Sequence, residues 1–507
     1  MAQQATTSGQ PAATAAAKEK QLKAVETTVR RIWRGIGLDE RELQALCLSN
    51  SGTAAGTPST FEIGHLAQAT VALSTLAAAS IQAARLGGRN DNDESSRLAD
   101  VCVDQRHALI EFKSERFNLI DGELPPSPWG PVGGLHRCKD GYVRIHDSFQ
   151  HHGRGAAELL GAEFDREDMA RKLLDWNKVD FEDAAVAAGL ACVALRSEEE
   201  WKAHPQSSAI DTFPLSVDLF SEPTTADQIA THHLASVPRH VIERKPLAGV
   251  RVLEFSRVIA APLAGKTLAL HGADVLWVTA PHLESLPSLD RDMARGKRTI
   301  QLDLRRDTDQ EQLRSLIAGA DVVLQSYRPG ALAKKGLSLE TVTALNPSIV
   351  YATLSAYGRN GPWADRRGFD SLVQTVSGMN VAEAIAEGSG QPARVTPCQA
   401  LDHGGGYLLA FGIMAALRKR LDQPGVYKVE TSLAQTMVLL KSLGRLPAST
   451  LNEYDSVTPD EVREFMTMDT TQLGTMEHIR HSGIIAGAAN EWTEFPRSLG
   501  SDKPEWR

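Results

Sequence analysis

Asp402 is followed by His403 and by three glycines, Gly404, Gly405 and Gly406, and this run opens an apolar stretch. A carboxylate at a helix start reads first as an N-cap whose oxygens accept free helix N–H groups. Three glycines are a poor way to begin a helix, since each costs about 1 kcal/mol relative to Ala. Their presence points to close approach of a ligand to the backbone.

Other chemistries find less support. The first strand of the alternating region is followed by SRVIAAPLAG rather than GxGxxG, so no NAD site is expected. Ala260 to Thr267, AAPLAGKT, has Ala where a phosphate-binding loop begins with Gly, and Pro262 removes a backbone donor, so Lys266 reads as a surface lysine. The pairs His151-His152 and His232-His233 are adjacent rather than i, i+4, so no metal is expected. No Gly-x-Ser-x-Gly elbow occurs. Arg291, Arg295, Lys297, Arg298, Arg305 and Arg306 outnumber Asp292 and Asp303 along one stretch, which reads as a solvated basic face. SYRPGALAKKG reads as a turn at Pro329-Gly330 leading to Lys334 and Lys335.

The elements that must position these residues are set by the pattern. At roughly 100 to 200 residues per domain, 507 residues predict two to four domains. The 42% hydrophobic and 23% charged composition is that of a globular protein. Lys and Arg number 54 against 63 Asp and Glu, a net charge of −9, which argues against broad nucleic-acid binding and leaves room for a local basic pocket. Five scattered cysteines without a CxxC pair read as free thiols of a reducing compartment. The Ala/Thr/Gln-rich opening lacks an apolar signal core and reads as a disordered tail over 1–26. The expected location is cytoplasmic, with mitochondria the weaker alternative because no arginine precedes Arg30. LAQATVALSTLAAASIQAA is interrupted by Gln, Ser and Thr, so no membrane span is expected.

Along the chain, a long Ala-rich helix ends near Gly87 and Gly88, and an acidic loop over Asn90 to Ser96 precedes the strand and helix of VCVDQRHALIEF. The Pro/Gly-rich ELPPSPWGPVGG crosses to HRCKDGYVRIH, a hairpin around KDG. From Pro246, strand and helix alternate through RVLEF, DVLWV, TIQLDL, ADVVLQSY, SIVYATLS and VYKVETS, which predicts an α/β fold with a Rossmann-like doubly wound parallel sheet beside a smaller α+β domain. The helix at 65–86 with VCVDQRHALIEF after it resembles, in order and character, the helix at 402–420 with YKVETSLAQTMVLL after it. His65 falls near the place of Asp402, and the glycine triplet is present only in the second helix.

Taken in order, PLAGVRVLEFSRVIAAPLAGKTLALHGADVLWV, RGKRTIQLDL, ADVVLQSYRPGALAKKGL, NPSIVYATLSAYGRNGPWADRRGFDSLVQTVSGM and the Asp402 helix resemble the family III CoA-transferases, which include formyl-CoA and carnitine CoA-transferases and share a fold with α-methylacyl-CoA racemases. The resemblance covers roughly 246–445, while 65–240 is similar to the family's later portion. It implies a tandem or rearranged chain: a tail over 1–26, a partial degenerate segment over 27–120, a small α+β domain over 121–222, a linker over 223–245, a catalytic domain over 246–445 and a C-terminal return over 446–507. It implies coenzyme A as co-substrate, an acyl-CoA and a small carboxylic acid as partners, and a homodimer.

Residue by residue, the resemblance makes Asp402 the nucleophile that forms a mixed anhydride with the acyl group. It lays CoA along Arg257, Val258, Ile259, Lys297, Ser326, Tyr327, Arg328 and Lys334, and matches Tyr357 to an active-site tyrosine. Gly404, Gly405 and Gly406 would let the thioester approach, with N–H groups of the same helix stabilising the charge on its oxygen. Ser355 stands where formyl-CoA transferases carry lysine, and Phe369 where racemases carry their histidine base, which favours a transferase of other acids. The alternatives are a racemase or isomerase of the same fold, or an inactive CoA-binding protein. The substrate pocket is expected to be lined by segments such as AEAIAEGSGQPARVTP.

Overall fold

A computed structural model describes residues 10–51, 57–87, 98–222, 234, 236–452 and 459–507. Residues 1–9 of the expected tail, the acidic stretch 90–96 and most of the expected linker lie outside these. The rest of the tail is a correction, because the chain is helical from the start of α1 (Gln10–Gly35). Its later turns bury Val25, Val29, Ile32 and Trp33 at i, i+4, i+7 and i+8, the apolar stripe that docks this helix on the core.

The large sheet has seven strands: β1 (Leu215–Ser221), β2 (Arg251–Phe255), β3 (Asp274–Thr279), β4 (Arg298–Gln301), β5 (Val322–Gln325), β6 (Val350–Ser355) and β7 (Val426–Ser432). Their order is β4-β3-β2-β5-β6-β7-β1, and every pairing is parallel except that of β7 with β1. Alternation within the strands divides the core. Val252, Val322, Leu324, Val350 and Ala352 face one apolar cluster, and Leu253, Phe255, Val323 and Tyr351 the other, so both faces are covered as a parallel sheet requires.

The first face is covered by α2 (Ile63–Arg85), α3 (Ala260–Leu270), α4 (Asp370–Val376), α5 (Ala400–Asp422) and α6 (Leu433–Ser442). Helices α2 and α5 are long and apolar enough to cross a membrane by length and composition, and here each is wrapped by protein, α5 lying against α2 and α3. Each runs 23 residues, and their third residues are His65 and Asp402. His65 is buried beside Thr28, 2.9 Å from its hydroxyl.

The smaller unit has an antiparallel sheet of Gly134–Arg137, Tyr142–Ile145 and Cys192–Ala194, the first two strands joined by the KDG hairpin. Helices Gln150–Leu160, Arg166–Leu173 and Lys178–Ala187 close its own core around Val143, Met169 and Phe181. The C-terminal stretch returns to the large sheet, where Asp502 accepts from the Thr299 N–H and the Trp506 indole donates to the Leu316 carbonyl.

Candidate active site

The six parallel strands take an order in which the first and fourth lie side by side, β2 beside β5, and their following segments leave in opposite directions. A crevice opens there beyond the carboxyl ends of the strands. Residues 257–259 after β2 and 326–328 after β5, with Ala331, form its walls, which is why residues 70 positions apart in sequence meet. Val258 holds φ at +72°, a conformation a β-branched residue adopts only under strain of about 1–3 kcal/mol. The sharp turn it makes delivers α3 with Ala260 and Ala261 on the crevice.

Two cavities meet at Asp402. One, of about 330 Å³, is lined by Arg257, Val258, Ile259, Ser326, Tyr327 and Arg328, six of the eight residues expected along CoA, together with Arg367 and His151. The Arg257 guanidinium lies 3.9 Å over the Phe149 ring and donates to the Glu284 carbonyl. The other cavity, of about 370 Å³, is lined by Glu115, Arg116, Trp129, His146, Asp370, three serines, Gln399 and apolar groups. Val258, Ile259, Phe369 and Asp402 belong to both.

Asp402 is not the N-cap. Gln399 holds that position, and the Asp370 carboxylate caps the helix instead, accepting from the N–H groups of Leu401 (2.7 Å) and Asp402 (3.0 Å). The Asp402 carboxyl is thereby freed from local capping and is left on the cavities, 7% exposed. Burial, then the neighbouring carboxylates Asp370 and Glu115, push its pKa well above the usual carboxylate range. Burial pushes Asp370 up to about 6 against the hydrogen bonds it accepts. Glu115 is held below the ordinary value despite its burial, because His403 lies 3.1 Å away and Arg116 is beside it.

None of the three glycines lines either cavity, and two of them are required by packing. A Cβ on Gly406 would lie 2.4 Å from the Ala260 carbonyl oxygen, and one on Gly404 2.9 Å from Thr436 and 3.0 Å from Leu66. The oxyanion role expected of the α5 terminus is also altered, because Asp370 takes two of its N–H groups.

Lys297 is a second correction. It is fully buried, its ammonium 2.8 Å from Glu254 and 2.7 Å from the Pro262 carbonyl, and it lines neither cavity. Lys334 sits exposed on a short 3-10 turn and also lines neither. Tyr357 is buried with its ring 5.1 Å from Trp363, lines neither cavity, and its hydroxyl has no hydrogen-bond partner among the described residues.

Two expectations of surface charge also change. Lys266 is buried 3.0 Å from Asp292, and Arg295 of the supposed solvated face is buried on the same carboxylate at 2.6 Å. AEAIAEGSGQPARVTP lines neither cavity; the crossing segment ELPPSPWG and the hairpin residue His146 do that work. Glu115, Asp370, Arg367 and His146 are the groups sequence reasoning missed.

The profile described as CoA-transferase family III matches residues 247–500. A Mycobacterium tuberculosis protein named as a probable fatty acyl-CoA transferase is 36% identical over 189 residues, 35% of this chain and 47% of that one. An acyl-CoA transferase of Gibberella moniliformis is 32% identical over 305 residues, 58% of this chain and 52% of that one. The chain thus spans about half the length of these curated relatives. A crystal structure of a CAIB/BAIF family protein from Brucella suis aligns at 30% identity over 38% of this chain and 55% of its own, with a TM-score of 0.35.

Proposed function

The chain belongs to CoA-transferase family III, and from that premise we propose that it moves CoA from an acyl-CoA donor to a carboxylic acid acceptor, with Asp402 carrying the acyl group. The observation that carries this reading is the Asp402 carboxyl standing where two cavities meet. Arg257, Arg328 and Arg367 suit the phosphates of the nucleotide half, and Tyr327 offers a face for adenine or pantetheine.

In this reading the Asp402 carboxylate attacks the thioester carbonyl, a C–O bond forms, the C–S bond breaks, and CoA leaves as thiolate. The thiolate attacks the Asp402 carbonyl of that anhydride, giving an aspartyl thioester and releasing the donor acid. The acceptor carboxylate attacks the aspartyl thioester and frees the thiolate again. Thiolate attack on the acceptor's acyl carbon then yields the new acyl-CoA and restores Asp402. Electrons and protons balance without an oxidant or base.

The N–H groups of Ala260 and Ala261, in the first turn of α3 where a helix leaves donors without internal partners, are suited to the developing oxyanion. Helices α2 and α5 present His65 and Asp402 at the same position, so the N-terminal half is read as a copy that lacks the carboxylate.

Incubation with acetyl-CoA and hydroxylamine tests the reading. The Asp402 peptide of the wild type gains a hydroxamate and that of Asp402→Asn does not. An unmodified peptide, with transfer retained in Asp402→Asn, contradicts it. One observation favours a second reading: His146 lines the same cavity as Asp402, a pair that could exchange an α-proton. Deuterium wash-in at the α-carbon without an acceptor acid would support that reading.

A further inference from the structure

We propose that the 370 Å³ cavity is the acid subsite and that it selects monocarboxylic acids with a bulky apolar, preferably aromatic, body, through a wall made by Trp129, His146 and Phe369. This rests on the reading of Asp402 as acyl carrier.

The wall is geometric. The His146 imidazole lies on the Phe369 ring at 3.8 Å between centroids and 11° between planes, and Trp129 meets His146 edge-on at 5.3 Å. A flat hydrocarbon body entering beside Asp402 meets these rings at the offsets aromatic groups prefer. Burial, with His152 and Arg144 nearby, holds His146 down at about pKa 3, so it presents an uncharged ring. The apolar lining is completed by Leu124, Leu289, Val258, Ile259 and three prolines, Pro125, Pro126 and Pro128, and the neutral polar groups Ser127, Ser148, Ser288 and Gln399 add no charge to it. The prolines fix the backbone of the crossing segment, so the wall is formed before a ligand arrives. Leu124 and Trp129, which line this cavity, are 54% and 42% exposed, apolar surface that a ligand body can cover.

Charge sets the second half of the selection. Three carboxyl groups, Glu115, Asp370 and Asp402, line the cavity against one guanidinium, Arg116, which already lies 3.6 Å from Glu115. The attacking carboxylate of an acceptor is consumed in the anhydride. The remote carboxylate of a dicarboxylic acid would stay as an extra negative charge among these groups, and the described residues of the lining offer no second cation to pair with it. A very small acid would leave the apolar walls uncovered.

The test uses the full chain with acetyl-CoA as donor and 3-phenylpropionate, butyrate, succinate or oxalate as acceptor, with product thioesters measured by mass spectrometry. The expected kcat/KM for 3-phenylpropionate exceeds that for butyrate about tenfold and that for succinate or oxalate about a hundredfold, the range one pocket supplies. Trp129→Ala removes the advantage over butyrate, and Trp129→Phe keeps most of it; Trp129 is partly exposed, so neither change disturbs the core. Equal rates for all four acids, or a preference for succinate, overturn the proposal.

Calorimetry on Asp402→Asn with 3-phenylpropionyl-CoA and succinyl-CoA separates the two claims. Tighter binding of the aryl thioester, lost in Trp129→Ala, supports the subsite even where no transfer occurs and the Asp402 reading falls. Equal binding of the two thioesters overturns the subsite even where Asp402 becomes acylated.

Discussion

Replacing Lys297 by Met asks whether that lysine serves the fold or the ligand. Its ammonium is enclosed with Glu254 at 2.8 Å and the Pro262 carbonyl at 2.7 Å, and the second oxygen of Glu254 has no hydrogen-bond partner among the described residues. The space is tight, since a Cβ on Gly265 would lie 1.7 Å from that oxygen. Removing Lys297 alone leaves a buried carboxylate uncompensated, which costs about 3–5 kcal/mol. That is a large part of a typical total stability of about 5–15 kcal/mol. Burial already pushes Glu254 up. A raised folded pKa disfavours the ionised fold as pH climbs above the ordinary carboxylate value, so the deficit of Lys297→Met shrinks as pH falls toward about 4. Lys297→Met with Glu254→Met removes both charges and recovers most of the loss, because apolar replacement of a buried pair is often neutral. The assays are the midpoint of the first urea transition and the KM for acyl-CoA. The double variant keeps its KM. A stably folded Lys297→Met whose KM rises about tenfold, equivalent to 1.4 kcal/mol of lost binding, would refute the structural assignment.

Gly406→Ala gains about 1 kcal/mol of helix propensity but places a methyl 2.4 Å from the Ala260 carbonyl, and such overpacking costs about 1–3 kcal/mol or more. Its melting temperature falls, whereas Gly405→Ala, whose nearest contact would be 3.2 Å from the Thr436 hydroxyl, stays near wild type. Equal stability with equal loss of activity would return the triplet to the ligand. Asp402 is pushed up by burial, so the wild type loses stability as pH rises through and above the ordinary Asp value. Asp402→Asn therefore melts higher than wild type at neutral pH and the same near pH 4; an unchanged difference across that window contradicts the burial argument. Glu115 raises Asp402 as a neighbouring negative charge, so Glu115→Gln moves the acid limb of kcat/KM to lower pH, and a limb that stays in place excludes this coupling.

The parallel sheet was legible because fully buried strands such as RVLEF and VVLQ read as apolar runs bounded by helices. The crevice residues at 257–259 and 326–328 were legible only through the family resemblance, and the strand order is what brings those two segments together. Lys297 and Lys266 were misread because a lysine's exposure depends on partners distant in sequence, Glu254 and Asp292, that only the fold supplies. Asp370 was missed as a cap because it lies 32 residues before the N–H of Asp402 that it accepts. The acid-side wall was illegible for the same reason: ELPPSPWG looks like a connector until the smaller unit brings it beside Phe369. The opening turns of α1 escaped detection because Ala, Thr and Gln give no apolar stripe before Val25.

Oxygen transfer tests the central claim most directly. With the acceptor acid labelled by oxygen-18 in its carboxylate and transfer allowed to turn over, the Asp402 peptide is isolated and weighed. Attack of the acceptor carboxylate on an aspartyl thioester leaves one acceptor oxygen on Asp402 in each cycle, while one old Asp402 oxygen leaves with the donor acid. The peptide is therefore heavier by one labelled oxygen after a single turnover and approaches two with continued turnover. Turnover with an unlabelled Asp402 peptide would contradict the account.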